Sequence, residues 1–561
     1  MTNRSPVLRT TVTLTAMLLA SVASTAAIAH DVNAPASATY WPPTLWDNLG
    51  SLHYPITTSN PEAQQFFDQG LRLSYAFNHE EARRAFQYAH ELDPGCALCY
   101  WGEALVVGPN INAAMNPQMV TLAVHGVEHA AEQAGASDKE KDLIAAVGTR
   151  YSDDPAADRL ALDAAYADAM VALAVKYPDD PEINTLAAEA LMDVQPWDYW
   201  EADASGAKVF KGRAAEIDVL LQRVLAQNPD HPGAIHLYIH LMENSDTPEI
   251  AVAHADRLPA LMPGAGHLVH MPSHIYYRIG LFERSMHDNV DAAKADEALL
   301  EEVEDIGVYS SGYYPHNLHF VLVSAQMAGD AVTTIEMADK LVATVTEEAA
   351  ATTAWVQPIL LAPYWAHAQY SDPETILALP DPGDTFPFVK GMWHYARGVA
   401  LAASGDLTGA AAEAAAIDTI ANTGDISFLI NNYIPADQLL QIARHAVQAR
   451  IATSRGYTAT AIDEWQRAVD LQDGLSYMEP PYWYYPVRQS LGAALLAAGR
   501  TEEAAETFDA ALVESPNNGW VLFGLKQAQE QLGDAEGAKA TAELLSEAWL
   551  GPDDFLELSK L

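Results

Sequence analysis

Ten of the 19 histidines fall between His231 and His319, a span of 89 residues where an even spread would put about three. Two pairs inside it, His236/His240 and His270/His274, are spaced i, i+4, so on a helix both imidazoles of a pair would leave the same face. Helices pack about 8–10 Å apart. That lets imidazoles from two neighbours converge on one ion through bonds of about 2 Å. A mostly imidazole set suits Zn, Cu, Fe or Ni and disfavours Mg or Ca, which want oxygen. Seven histidines, His236, His240, His267, His270, His274, His316 and His319, are the candidate ligands. They exceed the needs of one ion, so two ions, or one ion with further histidines behind its ligands, are both open. Glu243 adds a carboxylate from the face of the first pair, and Glu189, on a helix expected over Ile183–Asp193, could add another, each as ligand or general base. Against a regular helix, Pro272 sits between His270 and His274 and would remove a ladder bond.

Other chemistry is thin. Cys96-Ala-Leu-Cys99 is followed by Tyr100, where a c-type haem site needs histidine, so haem is excluded and the pair reads as a structural disulfide. A nucleophile elbow, a phosphate loop and an HExxH zinc-protease motif are absent from the sequence. Aromatic clusters such as Tyr313-Tyr314 and Tyr482 to Tyr485 are core filling by default. Those beside proline, as in Pro480-Pro481-Tyr482-Trp483, suit the mouth of a groove.

The chain has 561 residues and half of them are hydrophobic, enough for a large core. With 30 Lys+Arg and 75 Asp+Glu the formal charge is 30 − 75 = −45. Nucleic acid and anionic membrane surfaces would be repelled and are excluded as partners. Arg4 and Arg9 precede an apolar stretch from Val12 to about Val22, and Ala27-Ile28-Ala29 supplies small residues for cleavage. Residues 1–29 therefore read as a secretory signal, and export to a bacterial periplasm or beyond is expected. His30 would then begin the chain and, with the free amino group, could clasp copper; residues 30–60 read as a leader. No later segment offers some twenty uncharged apolar residues, so no membrane span is expected.

A period of 34 residues organises the remainder. With Ala63 at position 1, Gly70 falls at 8, Ala82 at 20, Phe86 at 24, Ala89 at 27 and Pro94 at 32. With Tyr485 at position 1, Gly492, Ala504, Phe508, Ala511 and Pro516 fall at the same places. Small residues at 8 and 20 let two antiparallel helices approach, an aromatic at 24 fills the gap, and Pro at 32 stops the second helix. Weaker copies begin at Pro232, Gly266, Pro315, Gly391 and Ile442, with insertions at Val194–Trp200 and Leu299–Tyr314.

This pattern resembles the tetratricopeptide repeat (TPR) superfamily. It predicts an all-α fold, a right-handed superhelical solenoid of helix-turn-helix repeats over residues 61–561, with a histidine-rich centre at about 231–320. The resemblance also implies that positions 2, 5, 9, 12 and 13 of each first helix face the concave groove. In the three central frames those positions hold His236, His240 and Glu243; then His267, His270, His274, Tyr277 and Arg278; then His316 and His319. Tyr277 and Arg278 are the expected substrate contacts, the arginine toward an anion. The segments Gly266-His-Leu-Val-His-Met-Pro-Ser-His-Ile275 and Tyr313-Tyr-Pro-His-Asn-Leu-His319 further resemble an uncharacterised family of secreted bacterial TPR proteins, which implies fold and export and supplies no catalytic roles. The sequence thus points to an exported TPR protein with a transition-metal site (Zn, Cu or Fe) on its concave face. Such a site would serve a metal-dependent hydrolase or oxidoreductase acting on a small molecule. A peptide-binding scaffold without metal and a metal carrier without turnover are the alternatives.

Overall fold

Glycine and aromatic positions set the architecture at both ends of the chain. Helices Pro61–Tyr75 and His79–Leu92 form the first hairpin, each started by an asparagine cap: the Asn60 side chain accepts from the Glu62 amide, and that of Asn78 accepts from Glu81. A Cβ on Gly70 would stand 2.8 Å from the Phe86 ring, and one on Gly102, in the next helix, 2.4 Å from the same ring. Phe86 is thus pressed between two glycines of consecutive repeats. The C-terminal end repeats the arrangement, with Gly492 and Gly524 on either side of Phe508 at 2.7 and 2.3 Å. These close approaches explain why the period is legible in sequence.

The computed structural model describes residues 41–303 and 307–561. The segment read as a signal, its expected cleavage point at Ala29 and His30 lie outside the described residues. All elements discussed belong to one unit, Pro42–Leu561. The fold is an all-α solenoid, as the sequence predicts. Its one regular strand pair among the described residues joins Trp200–Ala202 to Lys208–Phe210, directly after the Val194–Trp200 insertion. Residues in the segment read as a leader already pack on the first hairpin: Arg72 donates to the Leu52 carbonyl at 2.8 Å and Tyr54 is buried. Among the described residues no helix is long and apolar enough to cross a membrane.

The middle repeats depart from the ideal. After helix Pro232–Met242 the expected partner helix is broken into Pro248–Ala251, Val252–Ala255 and Leu258–Leu261, with prolines at 248 and 259. The next unit is split into Gly266–His270 and Pro272–Arg278. Pro272 interrupts the hydrogen-bond ladder, yet Met271 keeps helical angles (φ −52°, ψ −36°), so the two pieces continue one another and His270 and His274 stay on one face. Helices Phe282–Glu302, Tyr314–Ala328 and Ala331–Thr344 follow.

The superhelix curls until distant repeats meet over the histidine face. His236 reaches the Tyr75 carbonyl, 161 residues away, and Tyr477 reaches Glu243, 234 residues away. Leu550 donates to the Ala328 carbonyl at 2.8 Å, tying the last helix to the middle.

Candidate metal centre

Helix Pro232–Met242 and the paired segments Gly266–Arg278 bring five imidazoles together, all buried. His316, from the start of helix Tyr314–Ala328, makes the sixth. They form two adjacent triads: His236, His240 and His267, and His270, His274 and His316. Within each, one ligand-capable atom per residue lies within 4.8 Å of the others.

The partners of the outer ring nitrogens fix the tautomers. His236 Nδ1–H donates to the Tyr75 carbonyl at 2.7 Å. His240 Nδ1–H donates to Glu243 Oε1 at 2.8 Å, and His274 Nδ1–H to Glu243 Oε2 at 2.7 Å. His270 Nδ1–H donates to Asn289 Oδ1 at 2.6 Å, and the amide is oriented by its own Nδ2 donating to the Ser285 carbonyl. Each neutral ring therefore turns a bare Nε2 inward. His236 Nε2 and His240 Nε2 stand 3.1 Å apart, His267 Nε2 lies 3.2 Å from His236 Nε2, and His270 Nε2 lies 2.7 Å from His274 Nε2. Facing lone pairs repel, a conflict that a shared proton or a bound cation would relieve. Nδ1 held by a carboxylate, carbonyl or amide while Nε2 faces the ion is the usual second shell of a histidine-bound metal.

Protonation resolves the conflict unequally. Burial, then the charge of His240, pushes His236 well below the usual imidazole range. Burial does the same to His267 and His270 and, less strongly, to His240. His274 is raised: burial opposes its charge, but Glu479 and Glu243 outweigh it. A proton on His274 can bridge the second pair without metal. In the first pair, burial works against a proton on either ring.

Glu243 lies at the junction. Burial disfavours its ionised form, but His274 and the hydrogen bonds from His240 and His274 hold the carboxyl down at about 2. Tyr477 also donates to its Oε2 at 2.7 Å. With both oxygens committed to ring N–H groups, Glu243 orients one histidine of each triad. With His240 and His274 it also forms a third group whose ligand-capable atoms lie within 4.8 Å of one another, which keeps the expected ligand role open beside this bridging one.

The surroundings of the triads differ. Phe77 covers the first, its ring centroid 4.4 Å from that of His236 and 5.4 Å from that of His267. Trp197 stands edge-on to His240 at 5.1 Å, and Tyr313 lies 4.8 Å from His267. Phe77 (φ 54°) and Trp197 (φ 65°) both adopt left-handed backbone. That conformation costs about 1–3 kcal/mol each and is stored where a side chain must be aimed. The second triad packs on Phe320, and one of its members, His274, lines a cavity of about 190 Å³. His274, Tyr277, Arg278, Tyr477, Glu479 and Trp483 are among its walls.

Two expected residues fall elsewhere. His319 turns to the Tyr484 hydroxyl and joins neither triad. It lies three residues from His316, about 60° around the helix, which sends its ring to a different neighbour. Glu189 lines a separate small cavity with His79, Arg150, Tyr166 and Asp193. Burial, reinforced by the charge of Asp193, lifts its carboxyl to about 8 despite Arg150. Tyr277 and Arg278 do reach the cleft: the Tyr277 hydroxyl donates to the Tyr484 carbonyl at 3.1 Å, and Arg278 Nε donates to the Glu243 carbonyl at 2.9 Å. Cys96 and Cys99 are joined as a disulfide. Phe77, Trp197, Asn289, Tyr477 and Glu479 were not anticipated from sequence. Only the aromatic, proline-rich run after Met478 signalled the last region.

Comparison with known proteins addresses the fold. The tetratricopeptide repeat family profile matches residues 495–548. No functionally curated protein is similar in sequence to this chain. Yeast Tom70 is 12% identical over 88% of this chain and 93% of its own, with a TM-score of 0.29. The human IFIT1 dimer with m7Gppp-AAAA is 12% identical over 88% and 96%, with a TM-score of 0.32. The APC/C hetero-tetramer Cut9-Hcn1 is 13% identical over 87% and 90%, with a TM-score of 0.24. Likeness this slight says nothing of ligands. The repeat match at the C-terminal end, with the helical hairpins throughout, supports the tetratricopeptide-repeat superfamily for this solenoid.

Proposed function

We propose that this protein is an exported TPR-type solenoid whose interior binds transition-metal ions (Zn, Cu or Fe) through its histidine triads. The ion at the cleft-facing triad would act on a small molecule as a metal-dependent hydrolase or oxidoreductase. One observation carries the reading: His236 and His240 have both committed their protons outward and face each other with bare Nε2 atoms 3.1 Å apart. A cation relieves that contact, and burial opposes supplying it as a proton.

A closed ligand set is the mark of a structural ion and an open position that of a catalytic one. The cleft beside the second triad favours turnover over carriage. In that cleft, Arg278 supplies a fixed positive charge for an anionic substrate, and Tyr277 and Trp483 supply an aromatic wall. A peptide scaffold needs an open groove, and here the segment between helices Thr458–Asp473 and Arg488–Ala497 reaches into it, as the Tyr477–Glu243 contact records. That favours a small molecule over an extended peptide at this face. Export rests on the Arg4-to-Ala29 signal pattern and is consistent with the Cys96–Cys99 disulfide, since such bonds persist in oxidising compartments.

The test is elemental analysis of the purified, metal-loaded chain beside the His240→Ala/His274→Ala variant. Loading of the wild type and its loss in the variant support the reading. A variant that loads normally but loses a partner protein would return the scaffold alternative.

A further inference from the structure

The segment after helix Thr458–Asp473 carries a carboxylate to the mouth of the second triad. Glu479 is buried, and its Oε2 forms no hydrogen bond among the described residues. That oxygen lies 3.3 Å from His316 Nε2 and 3.8 Å from His274 Nε2. Donors bound to one tetrahedral ion at about 2.0–2.1 Å are about 3.3 Å from one another. In the covered triad the separations His236–His240 at 3.1 Å and His236–His267 at 3.2 Å have the same size, whereas His270 and His274 stand closer, at 2.7 Å. A buried carboxylate oxygen left without a hydrogen bond, one tetrahedral edge from an imidazole, stands where a donor atom would stand.

We infer that Glu479 is the fourth ligand of the second triad, so that the protein holds two divalent transition-metal ions in unlike shells. One is the covered His236/His240/His267 set. The other is His270/His274/His316 with the Glu479 carboxylate, a four-donor shell that a substrate atom from the cleft would have to expand to five. This rests on the metal-binding reading above. It adds a ligand from a region that sequence spacing does not connect to the histidines.

Two measurements test it. Wild-type crystals soaked in Zn²⁺ should give two anomalous peaks, one of them about 2.0–2.2 Å from Glu479 Oε2. In solution, Co²⁺ loading should give two ions in the wild type. Glu479→Gln should keep the covered ion and weaken the other at least tenfold with a changed ligand-field spectrum, and Glu479→Asp should recover part of the loss. Two peaks with Glu479 outside bonding distance, or a Glu479→Gln protein with unchanged affinity and spectrum, overturn the assignment of Glu479 alone. Absence of any peak overturns the metal reading itself.

Discussion

The two histidine triads are built from like residues on consecutive units, and they differ in what surrounds them. The His236 triad is roofed by Phe77, Trp197 and Tyr313, and His267 Nδ1 has no hydrogen-bond partner among the described residues. The His270 triad has Asn289 behind it, Glu479 in front, and a cleft beyond. Like imidazoles with unequal access teach that the repeat supplies the histidines, while loops from other repeats decide what each triad faces. Two of the three φ-positive aromatics among the described residues, Phe77 and Trp197, sit on the covered side, where the strained backbone aims their rings over the triad.

The sharpest way to break this comparison is to remove one triad at a time. His236→Ala should abolish loading at the covered set and leave the other ion in place, and His270→Ala should do the reverse, as read by metal content and Co²⁺ spectra. If either change empties both, the triads are one centre. Glu243→Gln comes next, because Glu243 orients His240 and His274 together. Second-shell losses of this kind cost about 10–100-fold in affinity, and here both ions should weaken. Asn289→Ala should weaken only the His270 triad, at the lower end of that range, measured by competition with a chelator.

A smaller effect concerns the support behind the covered triad. Asp296 touches Gly266, next to His267; a Cβ on that glycine would stand 1.9 Å from its Oδ1. Burial pushes its carboxyl from 3.8 up to about 7, against hydrogen bonds from Tyr309 and Asn317. The unfolded chain loses this proton near pH 4 and the folded one near pH 7. Stability from this group is therefore fully present below pH 4, declines as pH rises to about 7, and is flat beyond. At about 1.4 kcal/mol per pH unit the decline amounts to about 4 kcal/mol. Relative to Asp296→Asn, the metal-free wild type should lose Tm across that window, measured by thermal unfolding at several pH values.

The smallest effect lies outside the centre. Gly492→Ala forces a methyl onto Phe508, and after the helix-propensity gain a net loss of about 1–2 kcal/mol is expected. Metal content should not change, which separates the scaffold from the site.

The parts of this molecule that could be read from sequence are those whose contacts repeat within a unit. Gly70 against Phe86 and Gly492 against Phe508 recur at fixed offsets, so the hairpins at both ends were visible. Register along first helices likewise placed six of the seven candidate histidines. His319 shares that register, but its position around the helix takes it to Tyr484 instead. Glu189 was assigned from helix order alone, and Arg150 and Asp193 claim it for another cavity. Phe77 comes from an inter-helix turn, Trp197 from an insertion, and Tyr477 and Glu479 from a segment more than 200 residues past Glu243. Those contacts arise from the curl of the whole superhelix, which leaves no periodic trace.

The most direct test of the central claim is the metal content of the wild-type chain after loading and exhaustive dialysis. Two ions retained per chain, and none in the His240→Ala/His274→Ala variant, is the predicted result. A folded wild-type chain that retains no ion, or a double variant that retains as much as the wild type, would contradict it.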